Sequence, residues 1–299
     1  MRPAPWAIVQ FEIASDPGQV RLGIQIEGGT VVAAPAGWPA TALQLLDEWR
    51  SYEPELRSLD PARLVPVEGA QLIAPLTFPR KVVCASANYS DHTAEMGDVG
   101  GGAPRPYFFL KPPTTTVVAP VASVPLPVAE GSAFDWEVEL AVVIADRCRG
   151  VSIEDAFDHI AGYSVANDLS ARGFFHRENP AAKPFEWDWY EHKAIDDSCP
   201  LGPGIVPHWL LPDVENLRLT LSVNDIAKQD SNTSLLVTGI AELVSVASAY
   251  VTLEPGDVIL TGTPSGVGLP KGEFLVAGDL VVAEIDGIGR LETRILPAR

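Results

Sequence analysis

The chain has 299 residues, of which 46% are hydrophobic and 20% are charged, and its formal net charge is −18. This length and composition fit a globular protein with one large domain or two ordinary ones. The acidic charge argues against nucleic-acid binding, which needs a basic surface, and no apolar run of about 18 residues predicts a membrane-spanning helix.

The cysteines and the first residues predict the compartment. Cys84, Cys148 and Cys199 lie far apart and form no Cys-x-x-Cys motif, so we expect free thiols in a reducing cytoplasm. The N-terminal run MRPAPWAIVQFEIASD lacks a basic region followed by a long apolar core, so no signal peptide is expected. A cytoplasmic protein that binds neither nucleic acid nor membrane is therefore predicted.

The N-terminal part is predicted as a small β-rich domain. Three short β-type runs broken by Gly or Asp-Pro-Gly indicate an antiparallel meander: WAIVQFEIA, VRLGIQIEG and GTVVAAP. A helix is predicted over 39–56, where leucines and a tryptophan recur at near-helical spacing. Proline-bounded strands follow. We place the boundary so that residues 1–75 form the N-terminal domain and residues 76–299 the catalytic domain.

The larger C-terminal part mixes strands with one predicted helix. That helix is placed in SIEDAFDHIAGYS, with Ser152 as its N-cap and Asp155 as the partner in a capping box. Three later runs predict strands joined by Gly-Asp turns: LRLTLSVND, GDVILTGTP and GDLVVAEIDGIGRLETRI. The predicted fold class is α+β and β-rich.

The run FDWEVELAVVI places two acidic residues in an apolar β-type segment. Glu137 and Glu139 are two positions apart, so in a strand they point to the same face, about 7 Å apart. Three interpretations are open: the exposed face of a half-buried strand, an acid/base pair, or a site for a divalent cation. Because both faces continue with apolar residues, the pattern favours a covered strand, where ionised carboxylates need a partner.

A third carboxylate favours the cation. Asp168, in GYSVANDLSARG, follows another β-like run, Tyr163 to Ala166. Two glutamates from one strand and one aspartate from another element would form a half-open site of three carboxylates. Since no His or Cys competes nearby, the pattern favours Mg²⁺, Mn²⁺ or Ca²⁺ over zinc.

Eight short motifs in register resemble the fumarylacetoacetate hydrolase family. They extend from about Lys81 to Ile295: KVVCASANYSDHTAEMG, PYFFLKP, FDWEVELAVVI, GYSVANDLSAR, CPLGPGIV, LSVND, TLEPGDVILTGTPSGVG and GDLVVAEIDGIG. The resemblance implies a mixed β-sandwich roll with a small N-terminal β domain, usually as a homodimer. It also implies Mg²⁺ or Mn²⁺ bound through Glu137, Glu139 and Asp168. Asn88 stands where larger members carry a fourth carboxylate, so we expect three ligands.

The resemblance implies a reaction as well. Typical members hydrolyse a carbon–carbon bond in a β-diketo acid, and the metal acts as a Lewis acid on the 2-oxo acid part of the substrate. We therefore expect a hydrolase of an acylpyruvate or a related small oxo acid. The alternative is a decarboxylase or isomerase of a 2-oxo acid on the same scaffold. A non-catalytic dimer that binds a metal–oxo-acid complex is a third class.

An intact His–Glu pair argues against the non-catalytic class. In NYSDHTAEM, His92 and Glu95 are three positions apart, so one helical turn would put them on one face. The family uses such a pair as base and orienter for the attacking water, whereas taken alone it could be a surface pair. The glycine-rich GDVGGGAPRP that follows is predicted to be a mobile lid.

Further site residues follow from the same motifs. Lys193 in EHKAID is expected to stabilise the developing oxyanion. Lys111 in FFLKP and Arg172 in LSARG match basic positions that face the substrate, although each could be a solvated surface charge. Thr263 in TGTP is expected to help hold a substrate carboxylate, or to belong to a plain turn.

This chain departs from the family pattern beside Arg172. The family commonly has an aspartate and, two positions later, a glutamine where this chain has Gly173 and Phe175. This change implies a more apolar or differently shaped pocket. The segment 176–192 that follows either lines that pocket or packs at a dimer contact, and it is crowded with aromatic residues: Phe185, Trp187, Trp189 and Tyr190.

Overall fold

The computed structural model describes residues 4–97 and 105–299. Its strands are β1 (Trp6–Ile13), β2 (Asp16–Ile26), β3 (Val31–Ala33), β4 (Ala70–Ile73), β5 (Val82–Ser86), β6 (Tyr107–Lys111), β7 (Val117–Val118), β8 (Val121–Pro125), β9 (Phe134–Asp135), β10 (Val138–Ile144), β11 (Ile160–Asn167), β12 (Ser170–Ala171), β13 (Cys199–Pro207), β14 (Arg218–Val223), β15 (Ile226–Asn232), β16 (Val258–Leu260), β17 (Leu280–Ile285) and β18 (Gly289–Leu296). Its α-helices are α1 (Ala42–Asp47), α2 (Trp49–Arg57), α3 (Ser90–Glu95), α4 (Trp189–Lys193) and α5 (Ile240–Tyr250).

In the described part of the chain, the strands form two large sheets and a two-stranded ribbon. The larger sheet has the order β3-β2-β1-β13-β11-β10-β16-β5-β6, with β4 paired to β1 and β7 to β13. The smaller sheet has the order β15-β14-β17-β18-β8, and β9 pairs with β12 in the ribbon. Mixed sheets with few helices confirm the predicted β-rich α+β fold class.

Strand β10 lies inside the larger sheet and is covered on both faces. Val138, Leu140 and Val142 pack in a core cluster that also contains residues of the smaller sheet and of α5. Ala141 and Val143, on the opposite face, pack in a second cluster with residues of α1 and α2. Each buried aliphatic side chain of this kind contributes about 1.5–3 kcal/mol. The strand is therefore covered as the apolar pattern on both faces predicts.

The antiparallel register of β10 and β11 brings the acidic residues together. Glu139 lies opposite Ala166 on β11. Asp168 follows the last residue of β11, and its N–H donates a hydrogen bond to the carbonyl oxygen of Glu137 at 2.9 Å. Glu137 itself lies in the short break between β9 and β10. The start of one buried strand and the end of its neighbour thus carry all three predicted ligands.

The predicted helix in SIEDAFDHIAGYS is wrong. The structure has a single 3-10 turn, Ala156–His159, and β11 begins directly after it at Ile160. Ser152 does form the predicted local bond, since its Oγ accepts from the N–H of Asp155 at 3.2 Å. Residues from Ile160 onward instead pair with β10 and β13. Sheet hydrogen bonding therefore overrides the local helical signal.

The helix predicted over 39–56 occurs as two helices, α1 and α2, separated at Glu48. Thr41 begins α1 with a capping box: its Oγ1 accepts from the N–H of Gln44 at 3.2 Å, and the Gln44 side chain accepts from the N–H of Thr41 at 3.3 Å. Trp49 begins α2 and is buried against the larger sheet. None of the described helices is long and apolar enough to cross a membrane.

The N-terminal strands are continuous with the larger sheet. Strand β1 pairs antiparallel with β13 through Ile8 and Ile205, and β2 and β4 flank β1. The division into residues 1–75 and 76–299 stays a prediction.

Candidate metal centre

Three carboxylates meet where β10 begins and β11 ends. One oxygen from each of Glu137, Glu139 and Asp168 lies within 4.8 Å of the other two. The three residues are buried, with relative exposures of 5%, 1% and 0%. This burial excludes the interpretation of the two glutamates as the exposed face of a strand. The structure thus brings together the three residues predicted as ligands, and their role in metal binding stays a prediction.

Two lysines and an arginine lie against these carboxylates. Lys193 Nζ donates to Asp168 Oδ2 at 2.6 Å and to Glu137 Oε2 at 2.9 Å. Lys111 Nζ lies 2.7 Å from Asp168 Oδ1, and Arg172 Nη2 donates to Glu137 Oε1 at 2.6 Å. The side chain of Lys111 is 0% exposed and that of Arg172 is 9% exposed. Neither residue is therefore a solvated surface charge.

The two glutamates differ in their electrostatic surroundings. Burial alone would raise the pKa of Glu137, but Lys193 and Arg172 outweigh it and lower this pKa to about 2. Burial, followed by the charges of Asp168 and Glu137, raises the pKa of Glu139 well above its ordinary value. Glu139 is the carboxylate in this group that has no cationic partner within the described part of the chain. Its Oε2 accepts only the N–H of Gly262, at 2.6 Å.

The residues present fit a hard divalent cation. Within the described residues, three cationic side chains are ion-paired to three carboxylates of this cluster, those of Asp135, Glu137 and Asp168. Glu139 adds a fourth carboxylate to the same cluster, and in its ionised form it leaves one negative charge unbalanced, consistent with its raised pKa. A bound divalent cation would neutralise it and would leave one positive charge for an anionic substrate. The clustered ligand atoms are all carboxylate oxygens, which suits Mg²⁺, Mn²⁺ or Ca²⁺.

Two polar residues that the sequence analysis did not single out complete the cluster. Asp135 accepts hydrogen bonds from Arg172 Nε at 2.9 Å and from the N–H of Gly268 at 2.7 Å, so it orients the guanidinium. Ser170 Oγ donates to Glu137 Oε1 at 3.1 Å. Asp135 precedes Glu137 by two residues, and this spacing is a signal that could have identified it. Ser170 offers no comparable signal, because its position depends on the chain reversal after β11.

Asn88 is used for folding and contributes no oxygen to the carboxylate cluster. Its Nδ2 donates to the carbonyl oxygens of Thr238 at 3.0 Å and Thr261 at 2.9 Å. Its Oδ1 accepts from the N–H of Thr238 at 2.8 Å. The buried amide is therefore fully engaged with backbone groups. This arrangement is consistent with the expectation of three ligands and no fourth.

The His–Glu pair lies on a short helix beside the carboxylates. His92 and Glu95 are both on α3, and His92 Nδ1 lies 3.5 Å from Glu95 Oε2. Glu95 accepts the N–H of Gly266 at 3.0 Å, and Asp91 Oδ2 accepts from Ser231 Oγ at 2.7 Å, so both ends of the helix are held. The predicted helical turn is thus present. Most of the predicted lid, 98–104, lies outside the described residues.

A cavity of about 190 Å³ connects these groups. Its lining contains His92, Glu137, Glu139, Arg172 and Lys193, together with aromatic side chains. The hydroxyl group of Thr263 also reaches the cavity, although it is already bonded: it donates to the carbonyl oxygen of Val138 at 3.0 Å and accepts from Gln229 Nε2 at 2.9 Å. Six of the nine predicted site residues therefore line one space, whereas Glu95, Asp168 and Lys111 are not part of its lining: Glu95 neighbours His92, and Lys111 is paired with Asp168.

The aromatic segment 176–192 divides between the cavity and the surface. Trp189 lines the cavity, as does the preceding Phe175. Three other aromatic side chains are largely exposed: Phe185 at 60%, Trp187 at 51% and Tyr190 at 76%. The interpretation of this segment as a pocket wall is thus correct for one of its four aromatic residues.

A second group of metal-binding residue types lies elsewhere. Ligand atoms of Asp146, Cys148 and His159 lie within 4.8 Å of one another. Asp146 is ion-paired with Arg50 and hydrogen-bonded to His159. Burial, followed by nearby carboxylates, raises the pKa of the Cys148 thiol to about 11, which disfavours the thiolate that binds metals. This group is therefore best described as a surface ion-pair network.

Comparisons with known proteins agree with the fold. The family description "Fumarylacetoacetate (FAA) hydrolase C-terminal" matches residues 81–296. A mitochondrial oxaloacetate tautomerase of Xenopus laevis is 34% identical over 297 residues, which cover 97% of this chain and 90% of that protein.

Solved structures resemble the whole chain as well. A fumarylacetoacetate hydrolase from Exiguobacterium antarcticum superposes with a TM-score of 0.81 at 30% identity, covering 98% of this chain and 100% of that one. A maleylpyruvate hydrolase from a Sphingobium species, solved with manganese(II) and pyruvate, gives a TM-score of 0.74 at 28% identity, with coverage of 98% and 100%.

Proposed function

Because the chain belongs to the fumarylacetoacetate hydrolase family, we propose that it is a divalent-metal-dependent hydrolase that cleaves a carbon–carbon bond in an acylpyruvate or related β-diketo acid. One observation carries this proposal. A buried cluster of carboxylates, in which Glu139 has no cationic partner among the described residues, shares a cavity with His92, whose neighbour is Glu95. A metal-binding group and a candidate general base therefore face the same small substrate.

Glu137, Glu139 and Asp168 would hold the cation, for which we propose Mg²⁺ or Mn²⁺. When bound, the cation would act as a Lewis acid on the 2-oxo acid part of the substrate. The manganese(II) and pyruvate in the Sphingobium hydrolase support this assignment. Lys193, buried beside two of these ligands, would stabilise negative charge that develops on a substrate oxygen.

His92 and Glu95 would handle the proton of the attacking water. Nδ1 lies 3.5 Å from the Glu95 carboxylate and makes no hydrogen bond within the described residues, so a small approach would let Nδ1–H donate to Glu95 and leave Nε2 free to accept a proton from water. The water oxygen then bonds to the acyl carbon, the carbon–carbon bond breaks, and its electron pair stays with the pyruvate-derived carbon. That carbon takes up a proton, so the products are a carboxylic acid and pyruvate.

A second candidate is keto–enol tautomerisation of a 2-oxo diacid. It is favoured by the name of the Xenopus relative, an oxaloacetate tautomerase that aligns with 97% of this chain. The same His92–Glu95 pair would then move a proton between the carbon next to the 2-oxo group and its oxygen. No bond between carbon atoms would break.

A product-resolved screen of 2-oxo and 2,4-dioxo acids with Mg²⁺ or Mn²⁺ tests the proposal. We expect acylpyruvates to yield pyruvate and a carboxylic acid, and EDTA to abolish the reaction. His92→Ala should lower turnover by about 100-fold or more while Mn²⁺ still binds. Enolisation of oxaloacetate without cleavage of acylpyruvates would instead establish the tautomerase, and release of CO₂ alone would establish a decarboxylase. Turnover that survives exhaustive chelation would contradict the metal-dependent mechanism.

We also propose a cytoplasmic homodimer, as the family resemblance implies. Sedimentation of the purified protein at micromolar concentration should give twice the chain mass of 32.0 kDa. A monomer at that concentration would contradict the proposal.

A further inference from the structure

The cavity has one wall that the proposed reaction does not use. Phe109, Phe175 and Trp189 line it, and we call these three residues the aromatic wall. Trp189 stacks on Phe109 with ring centroids 4.8 Å apart, and it meets Phe175 edge-on at 5.0 Å. Tyr107 supports Trp189 from a third direction at 5.2 Å. Aromatic pairs in these geometries hold one another in place, so the wall is a fixed apolar surface.

The aromatic wall adjoins the carboxylate cluster directly. Lys193 Nζ lies 5.2 Å from the ring centroid of Phe109 while it donates to Glu137 and Asp168. A substrate whose 2-oxo acid part is held at the carboxylates would therefore place its other end beside these rings. The aromatic wall is thus suited to contact the acyl group of the substrate.

Three cationic side chains near the aromatic wall are already paired with carboxylates. Lys193 and Arg172 are committed to acidic side chains of the cluster. Arg177, which follows Phe175 by two residues, is ion-paired with Asp188. A carboxylate placed against the wall would therefore lose its hydration without gaining a counter-charge from these three side chains.

His192 is the remaining basic group beside Phe175, and it does not supply that charge. Its ring lies 4.5 Å from the ring of Phe175, and its Nδ1 lies 3.1 Å from the carbonyl oxygen of Ala171. The ring is buried and stands next to Lys193 and Arg172, so it is held in its neutral form. It adds a neutral ring to the edge of the wall.

Resting on the proposed function, we propose that the acyl group of the substrate is apolar and planar, as in an aroylpyruvate, and that Phe175 and Trp189 select it against acyl groups that end in a carboxylate. Phe175 presents a ring to this part of the cavity, which is the kind of surface that an aromatic acyl group requires.

Steady-state kinetics with three acylpyruvates tests this specificity. We expect kcat/KM for benzoylpyruvate to exceed that for succinylpyruvate by about tenfold or more, with acetylpyruvate between them. Phe175→Gln and Trp189→Leu should each lower the ratio of kcat/KM for benzoylpyruvate to that for succinylpyruvate by about tenfold. Phe185→Leu is the matched control, since this ring is exposed on the same segment, and it should leave the ratio unchanged. A wild-type preference for succinylpyruvate, or Phe175→Gln without effect on the ratio, would overturn the inference.

Binding of inert 2-oxo acids separates this inference from the proposed reaction. Benzoylformate and ketomalonate cannot enolise, and they differ in carrying a phenyl ring or a second carboxylate. In calorimetric titrations of the Mn²⁺-loaded protein, we expect benzoylformate to bind about tenfold more tightly than ketomalonate. Phe175→Gln should reduce this difference in affinity. That result without cleavage of any acylpyruvate would refute the hydrolase and keep the specificity. Cleavage of acylpyruvates with equal binding of the two acids would keep the hydrolase and refute the specificity.

Discussion

Lys193 and Asp168 form a buried ion pair in which the Nζ atom lies 2.6 Å from Oδ2. The same ammonium group donates to Glu137, so one cation joins the chain before β10 to the chain after β11. Separating such a pair is costly, because each charge would remain buried without a partner. Lys193 therefore supports the fold and the candidate site together.

Replacing Lys193 with Met should damage both stability and activity. We expect the free energy of unfolding of the metal-free protein to fall by about 3–5 kcal/mol, because Glu137 and Asp168 would repel each other. In the folded variant, kcat/KM should fall about 100-fold or more. Mn²⁺ should raise the melting temperature of the variant by more than that of the wild type. Urea denaturation, kinetics and calorimetry measure these effects.

Lys183→Met is the control for Lys193→Met, because Lys183 is an exposed lysine in the segment 176–192. It should leave stability and activity unchanged. If Lys193→Met kept wild-type stability in EDTA, the electrostatic account of the cluster would be wrong.

Replacing Glu139 with Gln should separate metal binding from folding. The amide oxygen can still accept the N–H of Gly262, and the substitution removes the carboxylate that lacks a cationic partner. In EDTA the variant should therefore be as stable as the wild type or more stable. Its affinity for Mn²⁺ should fall by about 100-fold, so the increase in melting temperature with Mn²⁺ should disappear.

Glu130→Gln, at an exposed position, should keep the full response to Mn²⁺. Differential scanning calorimetry with and without the ion distinguishes the two variants. An unchanged Mn²⁺ response in Glu139→Gln would show that the ion binds elsewhere.

Replacing Asn88 with Asp should not create a fourth metal ligand. The new carboxylate would face the carbonyl oxygens of Thr238 and Thr261, which now accept from the Asn88 amide. We expect a loss of about 2–4 kcal/mol in the free energy of unfolding from the two lost hydrogen bonds and the repulsion. Mn²⁺ titration should still give one ion per chain. A more stable variant, or a second bound ion, would contradict this interpretation of Asn88.

The protonation of His192 should appear in the pH dependence of stability. Burial, followed by Lys193 and Arg172, lowers its pKa to about 2 in the folded protein, against about 6.5 for an exposed histidine. Below about pH 6.5 the unfolded chain therefore binds a proton that the folded protein does not, so the free energy of unfolding decreases as the pH falls. The contribution approaches about 1.4 kcal/mol per pH unit.

His192→Asn keeps a donor for the carbonyl oxygen of Ala171 and removes this titration. Its loss of stability between about pH 6.5 and 4.5 should be smaller than that of the wild type by about 2 kcal/mol. Urea denaturation across this range, in EDTA, measures the two curves. Identical slopes for His192→Asn and the wild type would show that His192 is not held neutral.

Local features of the sequence predicted the elements that depend on neighbouring residues. Glu137 and Glu139 share a face because they are two positions apart, and His92 and Glu95 share one because a helical turn joins them. The three runs predicted as strands in the last third of the chain correspond to β14, β16, β17 and β18, whereas β15 and α5 were not predicted. The helix predicted in SIEDAFDHIAGYS failed, since pairing with β10 and β13 determines the conformation there.

By itself the sequence determined the family, the fold class and the three candidate ligands, because residue types at short spacing and motifs in register carry that information. Only the tertiary structure decided how their charges are balanced. Lys193 reaches Asp168 across 25 residues and Glu137 across 56, distances along the chain at which no local pattern fixes a contact. It also decided that Trp189 turns inward while Trp187 stays exposed: both rings contact Phe175, but only Trp189 also packs against Phe109 and Tyr107 among the described residues.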